Sequence, residues 1–125
     1  MAENKLTALK NKKLEVIRQS IDDKKGNDTT IIDLRKFDNT IADYFVITDA
    51  TANVQVKAIS DHIQRQTAKR LKQKPLGVEG EENAEWILLD YGDVIVHVFQ
   101  RPVREYYDIE GLWADAEMIK TDKNE

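Results

Sequence analysis

EWILLDYGDVIVHVFQRPVREYYDIEGLWADAE, residues 85–117, holds six of the nine aromatic residues of this 125-residue chain and a dense set of apolar ones. Two runs of branched and aromatic residues, Trp86 to Tyr91 and Val94 to Gln100, lie on either side of Gly92-Asp93. Branched side chains suit a pleated surface, and glycine accepts the positive φ of a tight turn. The stretch therefore predicts a β-hairpin, and the rest of the chain is expected to support it.

Both faces of the second predicted strand are mainly apolar. One face carries Val94, Val96 and Val98, and the other carries Ile95, His97 and Phe99. A strand that is covered on both sides lies inside a sheet, so this strand is predicted to be central. His97 is accordingly predicted to be a hydrogen-bonded core histidine. On the first strand Trp86, Leu88 and Asp90 share one face, and Ile87, Leu89 and Tyr91 share the other.

Hydrophobic spacing and turn residues divide the remainder into helices and strands. The predicted elements are a helix from Leu6 to Lys24 ended by Gly26-Asn27, a strand from Thr29 to Lys36, a strand from Tyr44 to Thr48, a helix with an apolar stripe from Val54 to Leu71 capped by Thr51 or Asn53, an extended piece from Gly77 to Gly80, and helical turns that begin after Pro102. This order predicts an α/β fold in which helices cover a small mixed sheet. A single domain is expected over residues 1–125, with a core from about 6 to 116 and a flexible C-terminal tail.

The composition excludes several classes of protein. With 19 basic and 23 acidic side chains the net charge is −4, which offers no general attraction to nucleic-acid phosphates. The chain has no cysteine, so disulfides and thiolate sites are excluded. No apolar run approaches the roughly 20 residues of a membrane span, and the first segment carries acidic residues that a targeting peptide lacks. A soluble, cytoplasmic protein with no membrane partner is expected.

Carboxylates at strand ends and turns are the candidate chemical groups. They are Asp33, Asp43, Asp49, Asp90 and Asp93. Such a set can collect around a divalent ion, but aspartate is also favoured at turns because its side chain bonds nearby backbone. No glycine-rich phosphate loop accompanies them, and His62 has no second histidine at ligand spacing, so it is predicted to be an exposed helix residue. No catalytic residue, cofactor or metal is therefore expected.

The aromatic residues favour an interaction protein. In so small a domain the bulky rings cannot all be buried easily. Protein interfaces concentrate their binding energy on Trp, Tyr and Arg. The rings in question are Trp86, Tyr91, Tyr106, Tyr107 and Trp113.

A family resemblance covers nearly the whole chain, from about Leu6 to Ala116. DYFVITDAT (43–51), GVEG (77–80), EWILLDYGDVIVHVFQ (85–100) and REYYDIEGLW (104–113) closely resemble the ribosomal silencing factor family, RsfS, also called the Iojap-related family. The resemblance implies a small α/β fold of nucleotidyltransferase-like topology. It also implies a translational repressor that binds the large ribosomal subunit through its protein numbered fourteen and blocks joining with the small subunit when nutrients are scarce. Several members of the family are homodimers, which implies a homodimer for the free protein.

The same resemblance implies a partner surface. The family's W-x-L-x-D-x-G-D segment falls on residues 86–93, where Tyr91 stands at a position that is often apolar in relatives, and its R-x-x-Y and L-W elements fall on 104–107 and 112–113. The residues implied to bind the ribosomal protein are Trp86, Leu88, Asp90 and Tyr91, flanked by Arg104, Tyr107 and Trp113. The acidic side chains would face a basic partner, and such complementarity raises the rate of association.

Two other functions remain open from the residues alone. An enzyme of nucleotidyltransferase type would use Asp33, Asp49 or Asp90 with magnesium, although FVITDATANV around Asp49 departs from the Gly-Ser and paired aspartates of such enzymes. An RNA-binding module would use the lysines of the first helix, and a local contact with ribosomal RNA is also compatible with the repressor hypothesis.

Overall fold

The computed structural model describes residues 7, 8 and 10–121. In chain order its elements are α1 (Lys12–Asp23), β1 (Asn27–Asp33), β2 (Tyr44–Ala50), α2 (Asn53–Leu71), β3 (Gly77–Glu79), β4 (Trp86–Asp90), β5 (Val94–Gln100), α3 (Arg101–Tyr107), α4 (Ile109–Leu112) and β6 (Glu117–Lys120). The strands form one sheet in the order β3-β4-β5-β2-β1-β6. Strands β2 and β5 are parallel, and the other neighbouring pairs are antiparallel. The predicted α/β fold with a mixed sheet is confirmed.

Strands β4 and β5 form the predicted hairpin. Trp86 pairs with Phe99 at one end and Asp90 pairs with Ile95 at the other. The turn begins where Tyr91 N donates to Val94 O at 2.9 Å, and Gly92 takes a φ of 88°, which an L side chain rarely adopts. Since β5 lies between β4 and β2 and is buried along nearly its whole length, its central position is confirmed as well.

Each face of the sheet has its own apolar layer. On one face α1 and α2 pack on the sheet through a cluster that includes Leu14, Ile17, Ile21, Val56, Ile59, Ile63, Ile87, Leu89 and Val96. On the other face α3, α4 and the segment between β1 and β2 cover a second cluster that includes Leu34, Phe45, Ile47, Ile95, Phe99 and Ile109. Trp86 and Leu88 belong to the margin of this second cluster, where they are only partly buried.

The first helix is shorter than predicted. Thr7, Ala8 and Lys10 are helical, but the helical conformation is interrupted at Asn11, whose Oδ1 accepts a hydrogen bond from Leu14 N at 3.1 Å and so caps α1. Leu6 and Leu9, on which the longer helix partly rested, lie outside the described residues. Gly26 follows the helix because an added Cβ would come within 2.7 Å of both Ile21 and Thr48.

The predicted apolar stripe of the second helix is confirmed at Ile59 and Ile63, which are buried, but is wrong at its first residue. Val54 is 76% exposed, and the buried positions are Val56, Ile59, Ser60, Ile63 and Thr67. The predicted cap is also wrong, since Ala52 occupies the N-cap and no side chain bonds there. Two of the buried positions, Ser60 and Thr67, carry hydroxyl groups that hydrogen bond inside the protein. A hydrophobic pattern counts these residues as polar, so it cannot predict that they are buried.

The sheet has a last strand that periodicity did not indicate. Strand β6 pairs antiparallel with β1, with Asp33 opposite Glu117 and Thr30 opposite Lys120. The sheet therefore continues beyond the expected end of the core near 116, and residues 122–125 of the expected tail lie outside the described residues. Strand β1 ends at Asp33 and does not extend to Lys36, because Leu34 N turns to bond Asp43 O at 2.8 Å.

Candidate protein-binding surface

A stack of aromatic rings runs from the second core cluster to the surface. Trp86 packs between Phe99 and Tyr107, with a ring-centre separation of 4.9 Å on each side. Tyr106 adds an edge-to-face contact with Tyr107 at 5.0 Å. The tyrosines are carried by α3 and the tryptophan by β4, so two rigid elements hold the rings.

The exposure of this stack increases outwards. Phe99 is buried, Trp86 is half-buried, and Tyr107 and Tyr106 are 51% and 81% exposed. Beside Trp86, the half-buried side chain of Leu88 lines a shallow groove of about 230 Å³. We call Trp86, Leu88, Tyr106 and Tyr107 the aromatic patch.

The groove next to the aromatic patch is shaped by the end of β3. Glu79 and Gly80 form its other wall. Gly80 has a φ of 88°, and a Cβ there would lie 2.0 Å from the carbonyl oxygen of Trp86. Only glycine therefore permits this approach of the backbone to β4.

The polar edge of Trp86 is bonded inside the protein. Its Nε1 donates to His97 Nδ1 at 3.1 Å. His97 is only 4% exposed, and this burial lowers its pKa to about 4, so the ring is neutral at pH 7. The prediction of a hydrogen-bonded core histidine is confirmed.

Acidic side chains lie in and next to the segments that carry the aromatic patch. Glu79 lines the groove. Glu105 and Asp108, which are exposed, precede and follow the two tyrosines in the sequence and line a separate pocket with Arg101 and Arg104. Asp90 lies on the same face of β4 as Trp86 and is half-buried, with Oδ1 accepting from Gly92 N at 2.8 Å. One of its oxygens therefore shapes the hairpin turn, in addition to any role at the surface.

Tyr91 does not lie with the other residues of the implied partner surface. It is 3% exposed and belongs to the cluster under α1 and α2, on the opposite face of the sheet. Its hydroxyl is 2.9 Å from the hydroxyl of Thr67. Adjacent positions along a strand point to opposite faces, so Tyr91 cannot share the face of Asp90.

Arg104 lies below the surface rather than on it. It is 7% exposed and pairs with Asp49 at 2.8 Å and with Glu110 at 2.6 Å. Asp49, itself 2% exposed, is also 3.2 Å from Arg101 Nε. This ion network attaches α3 and α4 to the ends of β1 and β2, so Arg104 supports the helix that carries the tyrosines.

Trp113 is also partly withdrawn from the surface. It makes edge contacts with Phe37 at 5.5 Å and with Phe45 at 6.2 Å, within the second core cluster. Of the seven residues implied by the resemblance, the structure brings Trp86, Leu88 and Tyr107 together. Tyr106, which the implied set omitted, joins them. The sequence did contain a signal for Tyr106, because two successive tyrosines on a short surface helix cannot both face the core.

The carboxylates of the enzyme alternative do not meet. Asp49 lies opposite Asn27, at the end of the sheet away from the Asp33–Tyr44 pair. Asp90 is at the same end as Asp33, but β2 and β5 lie between their strands, which separates them by roughly 14 Å at the usual strand spacing. Within 7, 8 and 10–121, no three His, Asp or Glu side chains are grouped so as to hold a metal ion.

Two of these carboxylates already have cationic partners. Asp49 pairs with the two arginines of the ion network, and Asp33 accepts two hydrogen bonds from the Arg35 guanidinium at 2.9 and 2.7 Å. Burial would raise the pKa of Asp33, but the bonds and charge of Arg35 hold it below its ordinary value. Such carboxylates have fewer lone pairs available to a magnesium ion.

The lysine-rich face of α1 carries balancing acids. Lys12 is 3.7 Å from Glu15, and Lys13 pairs with Asp93 of the hairpin turn. At the end of α1, Asp23 accepts a contact of 2.9 Å from His62 Nε2, and the His62 side chain is only 15% exposed. His62 was expected to be exposed, but it joins α2 to α1.

In the part of the chain that the structure covers, no helix is long and apolar enough to cross a bilayer.

Fold and surface together define a class of protein, a small α/β domain with an exposed aromatic patch on one face. The comparisons with known proteins identify the family. The chain belongs to the ribosomal silencing factor family, because a model of the family described as "Ribosomal silencing factor during starvation" matches residues 7–125. The ribosomal silencing factor RsfS of Bacillus subtilis is 36% identical over 110 residues, which are 87% of this chain and 91% of that protein.

Solved structures are similar to the whole fold. A crystal structure of a Chromobacterium violaceum protein has a TM-score of 0.76 and 35% identity, and the match covers 82% of this chain and 83% of that one. A Bacillus halodurans structure has a TM-score of 0.72 and 30% identity, with 86% and 96% covered. The resemblance found in the sequence is thereby confirmed at the level of the family and of the fold.

Proposed function

We propose that this protein represses translation by binding the large ribosomal subunit and preventing it from joining the small subunit when nutrients are scarce. In this proposal the partner on the subunit is the ribosomal protein numbered fourteen, any contact with ribosomal RNA is local, and the free protein is a homodimer. The protein acts in the cytoplasm, where its ribosomes are, and does so without catalysis. Membership in a family named for ribosomal silencing supports this function.

The observation that carries the proposal is the aromatic patch. Its outer rings, Tyr106 and Tyr107, are exposed, while its inner ring, Trp86, is held by contacts on both sides. Rigid aromatic side chains bury a large area on binding and lose little conformational entropy, which is why such residues dominate interface energies. A ring stack that begins in the core and ends in solvent has the form of such an anchor.

The charge near the patch supports a basic partner. Glu79 lines the groove, and the exposed Glu105 and Asp108 directly precede and follow the two tyrosines in the sequence. Ribosomal proteins that lie on RNA are expected to be basic, since they neutralise phosphates. Complementary charge near the patch raises the rate of association and orients the two proteins, while the aromatic centre supplies the affinity.

Sedimentation with purified ribosomal subunits tests the proposal. The variant is Tyr107→Ala, and the control is Val54→Ser, which removes an exposed apolar group from α2 on the other side of the sheet. Wild type and control are expected to migrate with the large subunit and to reduce the amount of joined ribosomes. The Tyr107 variant is expected to lose about 2 kcal/mol of binding energy, roughly thirtyfold in Kd.

The outcomes separate the function from its site. Wild-type protein that stays at the top of the gradient would refute the repressor function. If a folded Tyr107→Ala protein binds as tightly as the control, the function stands but the aromatic patch is not its binding surface. Thermal melts of all three proteins show whether lost binding reflects lost folding.

A further inference from the structure

The bond between Trp86 and His97 joins the aromatic patch to the centre of the sheet. Trp86 Nε1 donates to His97 Nδ1 at 3.1 Å, so Nδ1 is the unprotonated nitrogen of a neutral ring. The indole also packs against Phe99 and Tyr107, whose rings are tilted to it by 31° and 47°. Such apolar ring contacts are not directional, whereas a hydrogen bond to the indole edge fixes its orientation.

His97 is well suited to fix an orientation because its ring is buried and packed within the sheet. It occupies the middle of β5, opposite Ile47 of β2 and Leu88 of β4. The ring also contacts Phe45 edge-on at 4.7 Å and lies parallel to Phe99 at 6.1 Å. Its Nδ1 is therefore an acceptor at a fixed place in the core.

The histidine has one buried ring nitrogen, Nε2, without a hydrogen-bond partner among the described residues. Burying an unbonded polar atom is unfavourable, and an apolar residue of similar size would avoid it. Among the described residues, Trp86 is the one hydrogen-bond partner of the ring. The bond to Trp86 is therefore what a histidine supplies here and a leucine would not.

We propose that His97 is a positioning residue for partner binding, whose Nδ1 holds the Trp86 indole in the orientation that the ribosomal partner meets. This inference rests on the proposed function, because the partner is the large ribosomal subunit. A side chain that is already ordered before binding loses less entropy when the complex forms. His97 acts from beneath the surface and does not touch the partner.

Two substitutions separate the hydrogen bond from the bulk of the ring. His97→Leu removes the acceptor and fills the space with an apolar side chain, whereas His97→Asn keeps an acceptor oxygen near the place of Nδ1. The first measurement is hydrogen exchange of the indole N–H signals by NMR, with Trp113, the second tryptophan of the chain, as internal reference. The Trp86 signal is expected to be protected in wild type and His97→Asn, and to exchange faster in His97→Leu.

The second measurement is affinity for purified large ribosomal subunits. Binding of His97→Leu is expected to be about threefold to tenfold weaker, the effect of one neutral hydrogen bond, and His97→Asn is expected to recover most of the loss. A folded His97→Leu protein that binds like wild type would overturn the inference, and so would a wild-type Trp86 signal that exchanges as fast as a free indole. If His97→Leu does not fold, the wild-type exchange and the Asn variant decide. If wild type does not bind subunits, the proposed function fails, whereas rapid exchange with intact binding refutes only the role of His97.

Discussion

A substitution at Arg104 is the sharpest test of whether a residue of the implied set contacts the partner or only supports the surface. The sequence resemblance placed it at the partner surface, whereas the structure buries it between Asp49 and Glu110. Arg104→Met keeps much of the aliphatic bulk but removes the charge. Asp49, which is 2% exposed, would then keep only its 3.2 Å contact with Arg101.

The magnitude follows from the burial of Asp49. Removing one partner of a buried ion pair typically costs about 3 to 5 kcal/mol, because a charge is left without compensation in the interior. Arg101 continues to compensate Asp49 in part, so we expect the lower end, about 3 kcal/mol. A domain of this size has roughly 5 to 15 kcal/mol of stability, so the variant should still fold.

Urea denaturation at pH 7, followed by tryptophan fluorescence, measures this loss. The paired test is Arg104→Met with Asp49→Asn, which removes the stranded charge and should be more stable than Arg104→Met alone. Equal stability of wild type and Arg104→Met, together with lost ribosome binding, would refute the supporting role and restore Arg104 as a contact residue. A double variant less stable than the sum of the two single effects would refute the electrostatic reasoning.

Two further predictions concern stability. Gly80→Ala should lower the free energy of unfolding by roughly 2 kcal/mol or more, because the backbone at Gly80 has a φ of 88° and the new Cβ would meet the Trp86 carbonyl oxygen. Gly77 has open space around it, so Gly77→Ala should change the free energy of unfolding by less than about 0.5 kcal/mol. Urea denaturation midpoints compare the two variants directly, and equal midpoints would contradict the packing argument. Burial lowers the pKa of His97 from 6.5 to about 4, so as the pH falls the unfolded chain is protonated at this histidine before the folded protein is. The contribution of His97 to the free energy of unfolding is therefore complete above pH 6.5, and about 3 kcal/mol of it is lost as the pH approaches 4. Unfolding curves at pH 7 and pH 4.5 should therefore differ less for His97→Asn than for wild type, and an equal pH dependence would show that His97 does not titrate this way.

Local chemistry made the hairpin and the central strand predictable. The alternation from Val94 to Gln100 and the glycine of the turn act within a few residues, so the sequence carries the whole signal. The same alternation separated Trp86 from Ile87 correctly, and it already placed Tyr91 on the face away from Asp90. Tyr91 entered the implied surface only through the family motif, and the structure buries it against Thr67.

Several features depended on contacts between distant parts of the chain. Strand β6 forms only because β1 offers it an open edge some 85 residues earlier in the sequence. The phase of α2 is set by the sheet on which it packs, which turns Val56 inwards and leaves Val54 in solvent. Hydrophobic periodicity indicates that a helix has an apolar stripe, but the surface on which the helix packs decides which polar residues beside that stripe become buried.

The sequence by itself therefore determined the hairpin, the α/β class and membership in the ribosomal silencing factor family, because these follow from short-range patterns and motifs. Only the tertiary structure decided which of the motif residues form a surface. It joined Trp86 to Tyr106 and Tyr107, withdrew Arg104 into an ion network, and bonded the indole to His97. The physical reason is that exposure and pairing belong to the packed arrangement of β4, β5 and α3, and no single segment contains that information.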